Sequence, residues 1–232
     1  MRLPSLRFLL LSCLVVCNAL RGELPRDMLA ALDHFRTEGA PGYAYEQVSE
    51  GEGHSRREAF SPLGAEGLHW TLLSVDGHLP SEGELREYRL SKLQRSSATN
   101  APRLEKQLDR SSGEVLEEKG GQLRCRFRLL PEGGDESLRQ LAVDCTLDRA
   151  SGSILRIEIF NTERLSPSLV VRIDSMRTVL EYSAQSAAEP SHLLHADIRV
   201  EGRAFWLKSL NQHLSVTWSN YKKITPGESK AP

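Results

Sequence analysis

The sequence is poor in the features that mark nucleic-acid or membrane-surface binding. Only 6% of its residues are aromatic, so surfaces that stack nucleic-acid bases are not expected. Its 30 Lys and Arg residues nearly balance 31 Asp and Glu, which leaves a net charge near −1. This balance excludes strong electrostatic steering toward nucleic acid or an anionic membrane. We therefore expect no nucleic-acid partner for this chain of 232 residues, which is long enough to bury one sizeable core.

The short motifs of common enzyme families are missing as well. The sequence contains no Gly-x-Ser-x-Gly elbow, no HExxH zinc motif, no phosphate loop and no Gly-x-Gly-x-x-Gly run. No nucleophile with a neighbouring base can be assigned. We expect a protein that is not an enzyme, with no catalytic residues, no metal ligands and no cofactor.

The N-terminal apolar run is too short to span a membrane. It extends from Phe8 to Leu20, about 13 residues, whereas a transmembrane helix needs roughly 20. Basic residues precede the run, and Cys17-Asn18-Ala19 near its end forms a small-x-small cleavage site. This arrangement predicts a signal peptide over residues 1–22 and a mature chain that is periplasmic or secreted, without a transmembrane segment. A second reading stays open, because residues 10–13 loosely fit a lipidation box that ends at Cys13.

Few cysteines remain once that segment is removed. Loss of Cys13 and Cys17 leaves Cys125 and Cys145. Because exported proteins meet oxidising conditions, an even pair favours a disulfide, and both residues fall on one apolar face of neighbouring predicted strands. The alternative is two buried thiols that behave as small apolar side chains. Zinc is not expected, since two sulfurs without nearby histidines cannot supply four ligands.

The clearest structural signal runs from Gln122 to Phe160. Three segments of strict apolar/polar alternation, joined by short polar turns, predict an antiparallel meander with one face on the core. The opposite face carries Arg124, Arg126 and Arg128. Such a ladder binds an anion or, more commonly, pairs with cross-strand acids such as Asp144 and Glu158.

Two helices are predicted before the meander. The first covers Pro25 to Glu38, with Met28, Leu32 and Phe35 recurring along one face. The second begins after Pro80, where Ser81 and Glu84 form a capping box, and runs to Gln94. Between the two helices lie a predicted hairpin around residues 51–53 and a short strand from His69 to Val75.

The strands after the meander predict curvature. Alternation from Leu169 slips in phase at Ser175, which indicates a β-bulge. Further strands cover residues 192–200, 204–210 and 214–218. We therefore predict an α+β fold, mainly antiparallel, in which a curved open half-barrel carries the N-terminal helix and the second helix over its concave face. The β-rich domain is placed at residues 23–223, followed by a disordered tail at 224–232.

This layout resembles the periplasmic lipoprotein-carrier superfamily, which includes the outer-membrane lipoprotein-sorting proteins. The resemblance rests on the N-terminal helix, the segment HWTLLSVDGHLP that leads into the Ser81 helix, the meander and the late strand GRAFWLKS. It implies a non-enzymatic carrier or binding protein for a lipid, an acyl chain or a lipoprotein, held in an apolar cavity between sheet and helices. The lining candidates are Trp70, Met176, Trp206 and Trp218, with Met28, Leu32 and Phe35 facing them.

Alternatives remain open for both function and individual residues. In a protein without a ligand cavity, the same apolar residues fill an ordinary core. The sheet would then serve a partner in protein–protein interaction or envelope assembly. His195, Asp197 and His213 could meet across strands as a metal or acid/base cluster, or could form a solvated polar face. His192 and His195 are unsuited to share one metal, because residues i and i+3 of a strand point to opposite faces.

Overall fold

The computed structural model describes residues 23–37, 41–64, 69–96, 104–131, 136–168, 170–187, 189–205 and 208–225. The predicted signal peptide and nearly all of the predicted tail lie outside these ranges, as does Trp206. The helices are α1 (Arg26–His34), α2 (Glu82–Ser96) and the single turn α3 (Leu104–Gln107), with a 3₁₀ turn at Glu136–Gln140. The strands are β1 (Tyr43–Gly51), β2 (His54–Phe60), β3 (Trp70–Val75), β4 (Leu108–Lys119), β5 (Gln122–Leu129), β6 (Leu141–Asp148), β7 (Ser153–Asn161), β8 (Leu165–Ser168), β9 (Val171–Tyr182), β10 (Leu193–Ala204), β11 (Lys208–Ser209) and β12 (Gln212–Lys223).

One antiparallel sheet contains all of these strands. Its order is β3-β2-β1-β12-β10-β9-β7-β6-β5-β4, with β8 and β11 attached to β9 and β10. Strands β3 and β4 form the two ends and do not pair with each other in the described part of the chain, so the sheet is open. The predicted open, curved α+β fold is confirmed.

Strand register defines the two faces, because directly opposite residues project to the same side. The face that carries both helices is called the concave face. It bears in ladder order Cys125, Cys145, Ile157, Leu180, Ala196, Val216 and Ser49. The convex face bears Arg126, Asp144, Glu158, Val179, Asp197 and Ser215. The alternation predicted for the meander is therefore correct, with core residues on one side and charges on the other.

The predicted bulge is also present. Glu201 pairs with Ser175 and Gly202 pairs with Ile173, so Asp174 is the extra residue of β9, next to the predicted phase slip. A Cβ on Gly202 would clash with the backbone of Arg172, which explains the glycine opposite the bulge. Bulging increases local twist and helps the long strands curve.

Several element boundaries differ from the predictions. Helix α1 ends at His34, about a turn before the predicted end, because Phe35 adopts an extended backbone with ψ of 142°. That turn places the Phe35 ring edge-on against Tyr182, with centroids 5.1 Å apart. Strand β12 is longer than the predicted residues 214–218, because it pairs with β10 and with β1 over Gln212–Lys223.

Candidate functional site

One part of the concave face is closed by α1. Met28 and Leu32 are 0% and 1% exposed, and with Phe35 they pack against the meander. We call this part the closed half; its strand residues, almost free of solvent exposure, are Leu123, Cys125, Phe127, Val143, Cys145, Leu147 and Ile157. The cluster formed by α1 and these strands includes neither Trp70 nor Trp218. The structure therefore does not bring the three α1 residues together with those tryptophans.

The predicted disulfide is not present in the structure. Cys125 and Cys145 are direct cross-strand partners, as predicted, but both are free and fully buried. Opposite residues hold their Cβ atoms about 4.5–5.5 Å apart, slightly wider than the roughly 3.5–4.5 Å of a disulfide. Burial raises the pKa of Cys125 to about 11 and raises the pKa of Cys145 as well. Both thiols therefore serve as packed apolar groups.

The rest of the concave face is unevenly buried: Ala196 and Val216 are buried, but several of their apolar neighbours are not. Trp218 lies opposite Gln47, and Leu214 lies opposite both Ile198 and Gly51. Leu214 is 39% exposed, whereas Ile198 and Trp218 are half-buried. Met176, another predicted lining residue, is half-buried opposite Val200 on the same face. We call this part, from β9 to β3, the open half.

An aromatic cluster occupies one end of the open half. Tyr45 stacks on Phe60 with ring centroids 4.9 Å apart, and it meets Trp70 and Tyr221 at 5.8 and 5.4 Å. His192, which is buried, stacks on Tyr221 at 4.2 Å. Burial raises the pKa of Tyr45 to about 12, so its phenol is neutral. Of these rings, only Trp70 was predicted as a lining residue. Tyr45 and Phe60 come from the neighbouring strands β1 and β2, whereas Tyr221 comes from the distant β12.

Helix α2 is fixed above this cluster by a buried ion pair. The predicted capping box starts the helix, with Ser81 N–H donating to Glu84 Oε2 at 2.7 Å. One helix turn beyond Tyr88, the ammonium of Lys92 lies 2.8 Å from Glu58 Oε1 and 4.0 Å from the centre of the Trp70 ring. Gln47 Nε2 donates to the other Glu58 oxygen at 2.5 Å.

Electrostatics keep this pair charged. Glu58 is 3% exposed, and burial alone would raise its pKa; Lys92, Tyr88 and Gln47 outweigh that effect and lower it. Burial and the neighbouring carboxylate raise the pKa of Tyr88. Sequence reasoning missed Glu58, because a single acid in a polar-rich strand carries no local sign that its face will be buried.

A groove of about 430 Å³ lies on the concave face beside α2. Its residues come from the β1–β2 hairpin, the end of β3 and the start of β12. The apolar ones are Val75 and Leu214, and Arg56 contributes a guanidinium 5.9 Å from the Tyr88 ring centre. Gly51 is required where the strands meet, since a Cβ there would lie 2.8 Å from the backbone oxygen of His213.

The convex face carries compensated charges. Arg124 Nη2 and Arg126 Nε donate to Asp144 at 2.5 and 2.7 Å, and Arg177 Nε donates to Glu158 at 2.9 Å. A groove of about 280 Å³ there is lined by these alternating charges. Burial would raise the pKa of Asp144, but the two arginines lower it. The cross-strand reading of the arginine ladder is thus the correct one for Arg124 and Arg126.

The histidine cluster forms only in part. His213 Nε2 lies 2.7 Å from Asp197 Oδ2, on the convex face, and Arg199 Nε donates to the other oxygen at 2.8 Å. His195 instead lies 3.3 Å from the hydroxyl of Thr217. Across the described ranges, no three His, Cys, Asp or Glu side chains are grouped to hold a metal.

Comparisons with known proteins identify no relative of this chain. Within the residues described above, no helix combines the length and the apolar composition that crossing a membrane requires. No family model, no curated protein and no solved structure matches the chain.

Proposed function

We propose that this chain is an exported, non-enzymatic binding or carrier protein for a lipid, an acyl chain or a lipoprotein, held on the open half of the concave face. The observation that carries the proposal is the contrast in burial along one face. Strand residues under α1 are fully buried, while Leu214, Ile198 and Trp218 remain partly exposed although they continue the same apolar ladder. The resemblance in layout to periplasmic lipoprotein carriers supports the same function.

The physical chemistry favours an acyl chain as the ligand. Transfer of each CH₂ group from water to an apolar surface gains about 0.8 kcal/mol. Affinity for an acyl chain therefore depends mainly on an apolar surface of complementary shape from which water is excluded. The rings of Tyr45, Phe60 and Trp70 add a large and rigid apolar area at one end of the open half. In this proposal Trp218, Met176 and Trp70 contact ligand, whereas Met28, Leu32 and Phe35 support the sheet from the closed half.

One experiment tests the proposal directly. Mature protein is titrated with long-chain fatty acids and with phospholipid, while melting temperature and tryptophan fluorescence are recorded. Binding to the folded state should raise the melting temperature by mass action. Leu214→Ser should weaken the response, and Leu194→Ser is the matched control because Leu194 is 41% exposed against 39% for Leu214 but does not line the groove. No shift with any lipid would overturn the proposal.

A second function has one observation in its favour. The end strands β3 and β4 have no partner on their outer side among the described strands, and such edges can pair with another chain. Against this, β4 is interrupted by two register shifts and carries Glu114, Glu117 and Glu118, features that protect edges from pairing. Protein–protein interaction at an edge is therefore the function we infer if lipid binding fails.

A further inference from the structure

The groove beside α2 contains an exposed arginine, Arg56, on its β2 side. Arg56 forms no ion pair with any carboxylate in the described part of the chain, and its guanidinium is placed over Tyr88. The next residue, Arg57, lies on the convex face and pairs with Glu46 at 2.5 Å. Most ion pairs of this sheet lie on its convex side. Arg56 differs from those arginines, because it lies beside apolar residues of the concave face and forms no ion pair with a described residue.

The remaining wall of the groove combines apolar and small residues with the polar side chains of Gln212 and His213 on β12. Leu214 of β12 and Val75 of β3 line the groove together with Arg56. On the β1 side the lining residues Ser49 and Gly51 have small side chains and take up little of the space. Trp218 lies one ladder step beyond, because Val216 pairs with Ser49 and Trp218 pairs with Gln47. A ligand anchored at Arg56 could therefore extend its apolar part along the open half toward Trp218.

The other titratable groups at the groove do not neutralise Arg56. His54 Nδ1 lies 3.0 Å from Asp76 Oδ2, and Asp76 also accepts from the N–H of Ser55 at 2.7 Å. These hydrogen bonds lower the pKa of Asp76 and keep it paired with the hairpin. Glu52 also lines the groove, but it stands at the exposed turn.

We infer that this groove binds the carboxylate of a single-chain fatty acid at Arg56, with the chain lying on Leu214 and Trp218. A guanidinium matches a carboxylate through paired, charge-assisted hydrogen bonds. The volume of about 430 Å³ is near the lower end of the roughly 300–1,000 Å³ typical of ligand pockets, which suits one chain better than a two-chain phospholipid. The inference rests on the proposed function and names its ligand class.

The test compares laurate with methyl laurate, which shares the chain but lacks the charge. The wild-type protein should bind laurate more tightly at neutral pH. Arg56→Gln should weaken laurate binding on the order of 10- to 100-fold and leave methyl laurate unchanged. Glu52→Gln should strengthen laurate binding, because it removes a like charge. Arg57→Gln is the matched control on the opposite face and should change neither ligand.

Each outcome separates the inference from the proposed function. Equal binding of laurate and methyl laurate by the wild-type protein, or an Arg56→Gln variant with unchanged laurate affinity, overturns the inference while lipid binding stands. Binding of neither compound overturns the inference, and the proposed function fails with it only if phospholipid does not bind either. Displacement of laurate by inorganic phosphate alone would show a general anion site and would also overturn the fatty-acid assignment. Circular dichroism checks that each variant is folded.

Discussion

The closed and open halves of the concave face are built from one sheet and yet differ in what they bury. The closed half contains aliphatic side chains, Phe127 and two thiols, with relative exposures at or near 0%. The open half contains aromatic rings, a buried ion pair and half-exposed apolar residues. A helix that supplies apolar side chains seals its strands, whereas α2 contributes Tyr88 and Lys92 and leaves Leu90 and Leu93 56% and 50% exposed.

From this difference we infer that the closed half stabilises the fold and that the open half serves binding. Burial without cavities stabilises the fold through transfer and packing, so the closed half should carry most of the folding free energy. The open half keeps apolar area available, which a folded protein normally buries or uses for binding. Substitutions in each half, and the pH dependence of stability, test that separation.

The first prediction compares two leucines on the concave face. Leu123→Ala in the closed half should lower the free energy of unfolding by about 3 to 5 kcal/mol, because a fully buried side chain leaves a cavity. Leu214→Ala should cost less than about 1 kcal/mol, since Leu214 is 39% exposed. Chemical denaturation measures both, and equal losses would contradict the division into halves.

The second prediction concerns the ion pair that holds α2. Glu58→Gln should lower the free energy of unfolding by about 3 kcal/mol, because Lys92 is left charged and largely buried without its partner. Adding Lys92→Met should restore a large part of that loss, since no uncompensated charge remains. If the double variant is no more stable than Glu58→Gln alone, the pair is not the source of the effect.

The third prediction is the pH dependence that follows from the same carboxylate. The folded state lowers the pKa of Glu58, so its ion pair stabilises the protein above the unfolded pKa of about 4.3. That stabilisation is lost as pH falls through the lowered folded pKa. The stability difference between wild type and Glu58→Gln should therefore be constant near neutral pH and shrink in acid. Denaturation series across the acid range measure it, and a difference that grows in acid would contradict the assignment.

The spacing of apolar residues in the sequence correctly predicted which residues are buried in the closed half. Strict alternation in β5, β6 and β7 and the stripe Met28, Leu32 and Phe35 on α1 were enough to place its core residues. The bulge beside Ser175 was also predictable, because a phase slip in a long alternating strand has few other causes. The end of α1 was not, since the contact that turns Phe35 out of the helix comes from Tyr182.

The open half could not be predicted in the same way. Tyr45 and Phe60 pair within the β1–β2 hairpin, but Tyr221 joins them only because β12 returns to pair with β1. Nothing within β1 or β12 reveals that pairing. Charged side chains such as Glu58 and Lys92 are usually exposed, but here they pair with each other between β2 and α2. For Cys125 and Cys145, register was predictable while the state of the sulfurs was not.

Hydrogen–deuterium exchange with and without laurate tests the central claim most directly. We predict that laurate increases amide protection in β10, β12 and the β1–β2 hairpin, where the open half and its groove lie. Amide protection in β5 and β6 should stay unchanged. Before ligand is added, β5 and β6 should already be the most slowly exchanging strands. Protection that is unchanged everywhere, or that appears in β5, β6 and α1 instead, would contradict the claim that the uncovered part of the concave face is the binding site.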